Sequence, residues 1–324
     1  MKRSALRTVS VILSLLLMCA LISSCDNTPD AGKDVYTVGI CQFIEHEALD
    51  KATEGFRAAV TKELGDTVKI VYQNAAGEKM NAQSICSSFA SDSVDLIFAN
   101  STNALAAAAE ATSVIPVVGC SVTDFASTLG LTDFTGKTGF NVTGYSDILP
   151  LEKQAEVIKE LFPEKGKVGI LYCSSEINSR YQADEITKHL VSFGFTCENY
   201  TFVDTTDVTL VTEKASRECD VIYTPTDNTV ASNTSAINNI LEPAKIPLVA
   251  GNIDVAVGCG IATVGIDYYD LGFKAGEMAV SILKGEIRPE DTEIGYADEY
   301  FKKYVPERAD ALGIMIPEGY SAIE

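Results

Sequence analysis

Two histidines and no tryptophan in 324 residues leave little material for a histidine-rich metal site or a tryptophan-stacked sugar site. Cations are scarce as well: 25 Lys and Arg stand against 45 Asp and Glu, a formal net charge of −20. Such a chain repels nucleic-acid phosphates, so no nucleic-acid partner is expected. Nucleophile and metal signatures are missing too. No G-x-S-x-G elbow occurs, and His46-Glu47-Ala48-Leu49-Asp50 is not H-E-x-x-H, because position 50 is Asp. Gly136-Lys137-Thr138 has Leu131 where a phosphate-binding loop needs its first Gly, and Gly258-Cys259-Gly260 precedes a strand and is no dinucleotide fingerprint. No cofactor and no catalytic constellation are read, so a binding protein is favoured over an enzyme.

No C-x-x-C pair exists either. Cys41, Cys86, Cys120, Cys173, Cys197, Cys219 and Cys259 are scattered through apolar stretches, an odd set read as buried free thiols. The remaining two, Cys19 and Cys25, fall in the N-terminal segment. Lys2, Arg3 and Arg7 precede an apolar run over Val9–Ile22, which reads as an export signal. The run ends in Ile22-Ser23-Ser24-Cys25, which resembles a bacterial lipobox. Residues 1–24 are therefore expected to be a lipoprotein signal peptide. Residues 25–34 would be a tether lipidated at Cys25, holding the protein to the outer face of the cytoplasmic membrane through its N-terminal lipid.

Ordinary globular composition follows, with 46 % hydrophobic and 22 % charged residues. Strand-like Val35–Cys41 leads to a helix over His46–Leu64 with Leu49, Ala52, Phe56, Ala59, Val60 and Leu64 on one face. Val68–Tyr72, Val94–Ala99 and Ile115–Val118 read as strands, separated by helices centred on Gln83–Ala90 and Ala104–Ala111. A second series runs through helix Leu149–Phe162, strand Lys167–Tyr172, helix Arg180–Phe193, strand Phe195–Phe202 and helix Val208–Arg217. It continues with strand Asp220–Tyr223, helix Val230–Leu241, strands Ile246–Val249 and Ile261–Ile266, and helix Leu271–Leu283. The strand-to-strand unit Val94–Gly119 is echoed by Cys219–Ala250, a weak internal repeat. The fold class is α/β: two doubly wound parallel-sheet lobes joined by a hinge, with a ligand cleft between them. Lobe 1 takes residues 35–145 plus about 267–290; lobe 2 takes 146–266 plus about 291–324.

Ligands of open α/β sheets sit beyond the carboxyl ends of strands. The polar clusters at such positions are Gln42-Phe43, Ser101-Thr102-Asn103, Thr123-Asp124, Glu176 with Asn178, and Asp227-Asn228. Each Ser, Thr, Asp or Asn among them is also an ordinary helix cap, and the two readings stand side by side. His46 opens a helix and reads as a cap or a cleft-edge residue; Asp147 reads as a hinge or cap, and Tyr268 as packing at the hinge.

Six stretches in order carry a resemblance: Val38–Asp50, Thr123-Asp124, Phe140–Asp147, Ser175–Ser179, Pro225–Val230 and Gly265–Gly272. They resemble the tryptophan/tyrosine-type substrate-binding proteins of ABC importers, a branch of the two-lobed periplasmic-binding-protein superfamily. The chain departs from that pattern at Glu47, where Pro is frequent, and at Ser101-Thr102, where the run is more apolar. The resemblance implies capture of a small solute, most readily an amino acid, and delivery to ABC permease and ATPase subunits. Its implied ligand is aromatic: tryptophan, tyrosine or phenylalanine. On that reading Ser101, Thr102 and Thr123 serve the α-carboxylate, Glu176 and Asp227 the α-ammonium, with Asp124 an additional acid. Asn178 and Asn228 orient the ligand, and Phe43, Phe125 and Tyr145 line its side chain. The alternative is the same fold holding a nucleoside, sugar or other solute, or serving as a ligand-sensing receptor.

Overall fold

Residues 35–323, apart from Lys165, are described by a computed structural model. The signal, lipidation and tether motifs of residues 1–34 lie outside the described residues. From the N-terminal side the chain alternates β1 (Tyr36–Gln42), α1 (Glu47–Leu64), β2 (Val68–Asn74), α2 (Lys79–Ser91), β3 (Leu96–Asn100), α3 (Thr102–Ala111), β4 (Val117–Val122), α4 (Phe125–Leu129) and β5 (Val142–Ser146). It resumes with α5 (Leu151–Leu161), β6 (Lys167–Cys173), α6 (Ile177–Ser192), β7 (Thr196–Phe202), α7 (Val208–Glu218), β8 (Val221–Thr224), α8 (Asn228–Ala231) and α9 (Thr234–Ala244). The last part holds β9 (Leu248–Ala250), α10 (Ile253–Cys259), β10 (Ala262–Gly265), α11 (Tyr268–Leu283), β11 (Gly295–Tyr296), β12 (Phe301–Tyr304), α12 (Pro306–Leu312) and β13 (Ser321–Ala322).

These strands form two sheets, ordered β11-β5-β4-β3-β1-β2 and β13-β12-β10-β9-β8-β6-β7. The first is parallel throughout; in the second only the β10–β12 pair is antiparallel. Strands β3, β4 and β8 are buried along their whole length, as the near-continuous apolar runs of parallel strands covered on both faces require. Phe56 of α1 stacks on Phe98 of β3 with ring centroids 3.8 Å apart, which anchors α1 to the first sheet.

Helix α11 follows β10 of the second sheet yet returns to the first, where it packs on α1. Glycine permits the approach. A Cβ at Gly55 would lie 2.0 Å from the Tyr269 carbonyl oxygen, and one at Gly272 would lie 1.9 Å from that of Ala52. The chain therefore passes between the sheets three times: after β5, between β10 and α11, and between β11 and β12. The expected boundary near residue 291 needs correction, because β11 pairs with β5 and keeps the chain in the first lobe through Tyr296.

Other expectations shift in detail. Helix Val230–Leu241 is two helices, α8 and α9, interrupted at Ser232-Asn233. Strand β5 (Val142-Thr143-Gly144-Tyr145-Ser146) is absent from the expected series, although Val142, Thr143 and Tyr145 are strand formers, because Gly144 and the short run break the pattern. Its Val142 and Thr143 pair with Val117 and Val118 of β4. All seven cysteines among the described residues are free thiols, and all but Cys197 are buried.

Candidate functional site

The strand-end loops of the two lobes meet each other. His46 Nε2 lies 3.1 Å from Asn228 Oδ1, Lys79 Nζ donates to the Ser175 carbonyl at 2.7 Å, and Gln182 Nε2 donates to Thr123 Oγ1 at 3.3 Å. Lys51 faces Asp254 at 3.7 Å, an ion pair in which the carboxylate side chain is 11 % exposed. Each pair joins an element of the first sheet to one of the second, so the lobes are closed on the cleft.

On the first lobe, Gln42 is committed to α1. Its Nε2 donates to the Ile44 carbonyl at 3.0 Å and to Asp50 Oδ1 at 2.6 Å, while Oε1 accepts from Thr53 Oγ1 at 2.6 Å. Phe43 and Phe125 are buried in the apolar cluster beneath α2 and α3. Ser101 caps α3 by accepting from the Ala104 amide at 3.3 Å, in a backbone conformation (φ 120°, ψ 166°) that non-glycine residues rarely adopt. The first turn of α3, with Thr102 and Asn103, begins directly after the carboxyl end of β3. Both are buried, and Asn103 Nδ2 has no partner.

Thr123 sits at a junction. Its hydroxyl donates to Asp147 Oδ1 at 3.1 Å and accepts from Gln182, while Tyr268 donates to Asp147 Oδ2 at 2.9 Å. Asp147 and Tyr268 thus join two of the interlobe crossings. Burial pushes the Asp147 carboxyl up, against the lowering effect of its two hydroxyl donors. Asp124 is the cap of α4: Oδ1 accepts from the Ala126 amide at 2.9 Å, and Oδ2 accepts from the Ser127 hydroxyl. Tyr145 is a correction. Its ring packs against Gly295 of β11, with Lys274 and Asp298 the nearest charges, on the outer flank of the first sheet instead of the cleft.

On the second lobe the two acids are brought together and both are consumed. Asp227 accepts from the Val230 amide through Oδ1 at 2.8 Å and from the Cys173 amide through Oδ2 at 2.7 Å. Burial, then the charge of Glu176, pushes its carboxyl well above the usual carboxylate range. Glu176 Oε1 accepts from the Thr229 amide at 2.9 Å and hydroxyl at 2.8 Å. Its Oε2 accepts from Asn228 N at 3.1 Å, Asn228 Nδ2 at 2.6 Å and Asn178 Nδ2 at 3.3 Å. The direct carboxylate–ammonium contacts expected of Glu176 and Asp227 are thus replaced by bonds to their own loop and to α8.

Three cleft residues were not singled out as ligand candidates. Gln182 hides in the buried face of α6, where nothing in its neighbours marks it. Asn252 follows β9 as Asn228 follows β8, so the strand-end rule reaches it. It caps α10 through Oδ1, and its Nδ2 is buried without a partner. His46 is the third; its Nδ1 is likewise buried and unpartnered, and burial holds the ring below the usual histidine range. Among the described residues no group of three or more His, Cys, Asp or Glu is placed to hold a metal ion. Nor is any helix there long and apolar enough to cross a membrane.

A tyrosine-binding protein of Clostridioides difficile (strain R20291) is 33 % identical over 293 residues, covering 86 % of this chain and 85 % of its own. The ABC domain from Streptococcus pneumonia solved with L-Trp superposes with a TM-score of 0.85 at 31 % identity, covering 89 % of this chain and all (100 %) of its own. The ligand-free, open structure of a Clostridium difficile substrate-binding protein with adhesive properties gives 0.68 at 35 % identity, covering 90 % and 99 %. The better match to the ligand-bound relative, despite lower identity, agrees with the closed lobes. The sequence profile of ABC transporter substrate-binding proteins matches residues 37–322. With two parallel-sheet lobes closing on a strand-end cleft, the chain belongs to the ABC transporter substrate-binding protein family.

Proposed function

We propose that this protein captures an aromatic L-amino acid between its lobes and delivers it to the permease of an ABC importer. Nine buried side-chain polar atoms among the described residues lack partners, and the observation that carries the reading is that four of them belong to residues following strand ends around the cleft. Asn103 Nδ2 and Asn252 Nδ2 are donors, Asn178 Oδ1 is an acceptor, and His46 Nδ1 is open. Buried polar groups are ordinarily satisfied, so a closed cleft with both kinds unpaired calls for a ligand bearing both kinds of partner. An amino-acid zwitterion has them: a carboxylate for the amide donors and an ammonium for the acceptors. Phe43 and Phe125 follow strands β1 and β4 and are the aromatic candidates for the apolar side of the site, buried in the first lobe's apolar cluster. The tyrosine-binding and L-Trp-bound relatives support an aromatic ligand. Export with lipidation at Cys25 completes the reading, since an importer's binding protein works outside the membrane.

The test is thermal unfolding of the purified protein against the twenty amino acids, common sugars and nucleosides. A ligand that binds only the folded state raises the melting temperature by mass action. L-Tyr and L-Trp are expected to give the largest shifts. A shift with a nucleoside or sugar and none with any amino acid overturns the ligand class.

A further inference from the structure

The unpartnered atoms around Glu176 have a definite hydrogen-bond polarity. Asn178 Nδ2 faces Glu176 Oε2 and, at 2.9 Å, the Thr226 carbonyl. Both are acceptors, so the nitrogen is on that side and Oδ1 is turned away, buried and unpaired. The second amide obeys the same carboxylate. Asn228 Nδ2 points at Glu176, which leaves Asn228 Oδ1 toward the other lobe, 3.1 Å from His46 Nε2. An amide oxygen only accepts, so Nε2 carries the imidazole hydrogen. Burial keeps His46 neutral, and a neutral imidazole has one N–H, so Nδ1 is a bare lone pair.

We propose that Glu176 is a positioning residue whose charge turns both amides, leaving His46 Nδ1 and Asn178 Oδ1 as the acceptors that take the ligand's α-ammonium. The proposal rests on the amino-acid reading above. The contacts of Glu176 already fill its oxygens, and those of Asp227 are held by backbone amides. A cation entering the cleft therefore meets neutral acceptors with a buried negative charge directly behind them. An N–H-rich cation gains most from that arrangement, because hydrogen bonds to charged groups are the stronger ones. One acceptor comes from each lobe, so the ammonium is satisfied only in the closed form. Binding and closure are thereby coupled through the same two atoms.

The experiment compares L-tyrosine with 3-(4-hydroxyphenyl)propanoate, which lacks only the amino group, by titration calorimetry. The unsubstituted protein is expected to prefer L-tyrosine strongly. His46→Phe, which keeps a ring and loses the lone pair, should weaken L-tyrosine binding by about tenfold or more and change the deamino acid by less than about twofold. Glu176→Gln should collapse the same preference. Equal losses for both ligands overturn the assignment, since that pattern means a role in closure alone. Long-range 1H–15N spectra provide a test without altering the site. The chain has two histidines, so His189→Gln identifies the His46 signals. An Nε2–H tautomer whose Nδ1 resonance moves with L-tyrosine but not with the deamino acid is expected; an Nδ1–H tautomer overturns the proposal. Failure of the unsubstituted protein to bind any amino acid overturns the amino-acid reading itself, and this assignment with it.

Discussion

At the residue scale, the polar side chains near the cleft divide into those already spent and those still open. Asp124 is spent, with both oxygens on α4. Asp124→Ala should cost about 1 kcal/mol of stability, the usual value of a helix cap, and leave ligand affinity within about twofold. Urea unfolding and calorimetry on the same sample check both halves. Tyr268 is spent on Asp147, itself buried and held up in pKa by that burial. Tyr268→Phe removes one of the two hydroxyls that offset the burial, and should cost about 1–3 kcal/mol in urea unfolding. Both aspartates were legible as caps or hinge residues from their places after strands. Which oxygens remain free was not, because that depends on partners such as Tyr268, 121 residues away in the chain.

At the element scale, the decisive contact is the crossing of α1 and α11. Gly55 and Gly272 let the two helices touch backbone to backbone. Gly272→Ala should lower stability by about 1–3 kcal/mol or more, read as a lower urea midpoint with an unchanged slope, because the neighbour is main chain and cannot turn aside. Helical periodicity in Leu271–Leu283 was visible and about 267–290 was placed with lobe 1, yet nothing local shows that the helix packs backbone to backbone on α1. The elements that escaped the sequence reading are short. Strand β5 is a five-residue run interrupted by Gly144 that pairs with β4, and α10 is a two-turn helix set by the Asn252 cap. Strands β11 and β13 are two residues each, too short to show any period.

At the scale of the whole molecule, closure places Lys51 and Glu47 of the first lobe against Asp254 of the second. Burial pushes the Asp254 carboxyl up to about 6, and Lys51 offsets this only in part. A carboxyl whose folded pKa is raised holds its proton longer in the folded state than in the unfolded one. Stability therefore falls as pH rises from the unfolded value near 4 through about 6, and levels off above. Asp254→Asn removes that loss. It should be nearly neutral at pH 4 and stabilising by about 2–3 kcal/mol at pH 7, measured by thermal unfolding at both values. A stabilisation equal at the two pH values would show that the ionised carboxylate is not the source.

The alternation of elements, the two-lobed class, the free thiols, the polar strand ends and the family motifs all follow from the sequence itself. Each is a local matter: apolar period, residue type after a strand, or a short ordered motif. Tertiary structure alone decided how the acids at the site are used. Glu176 and Asp227 stand at plausible positions for an ammonium, but residues 52 to 54 positions away occupy their oxygens. His46 and Asn228, 182 positions apart, become partners only when the lobes close. Hydrogen-bond capacity is finite and is filled by whatever lies within about 3 Å, so the atoms left open for a ligand emerge only once distant segments have met.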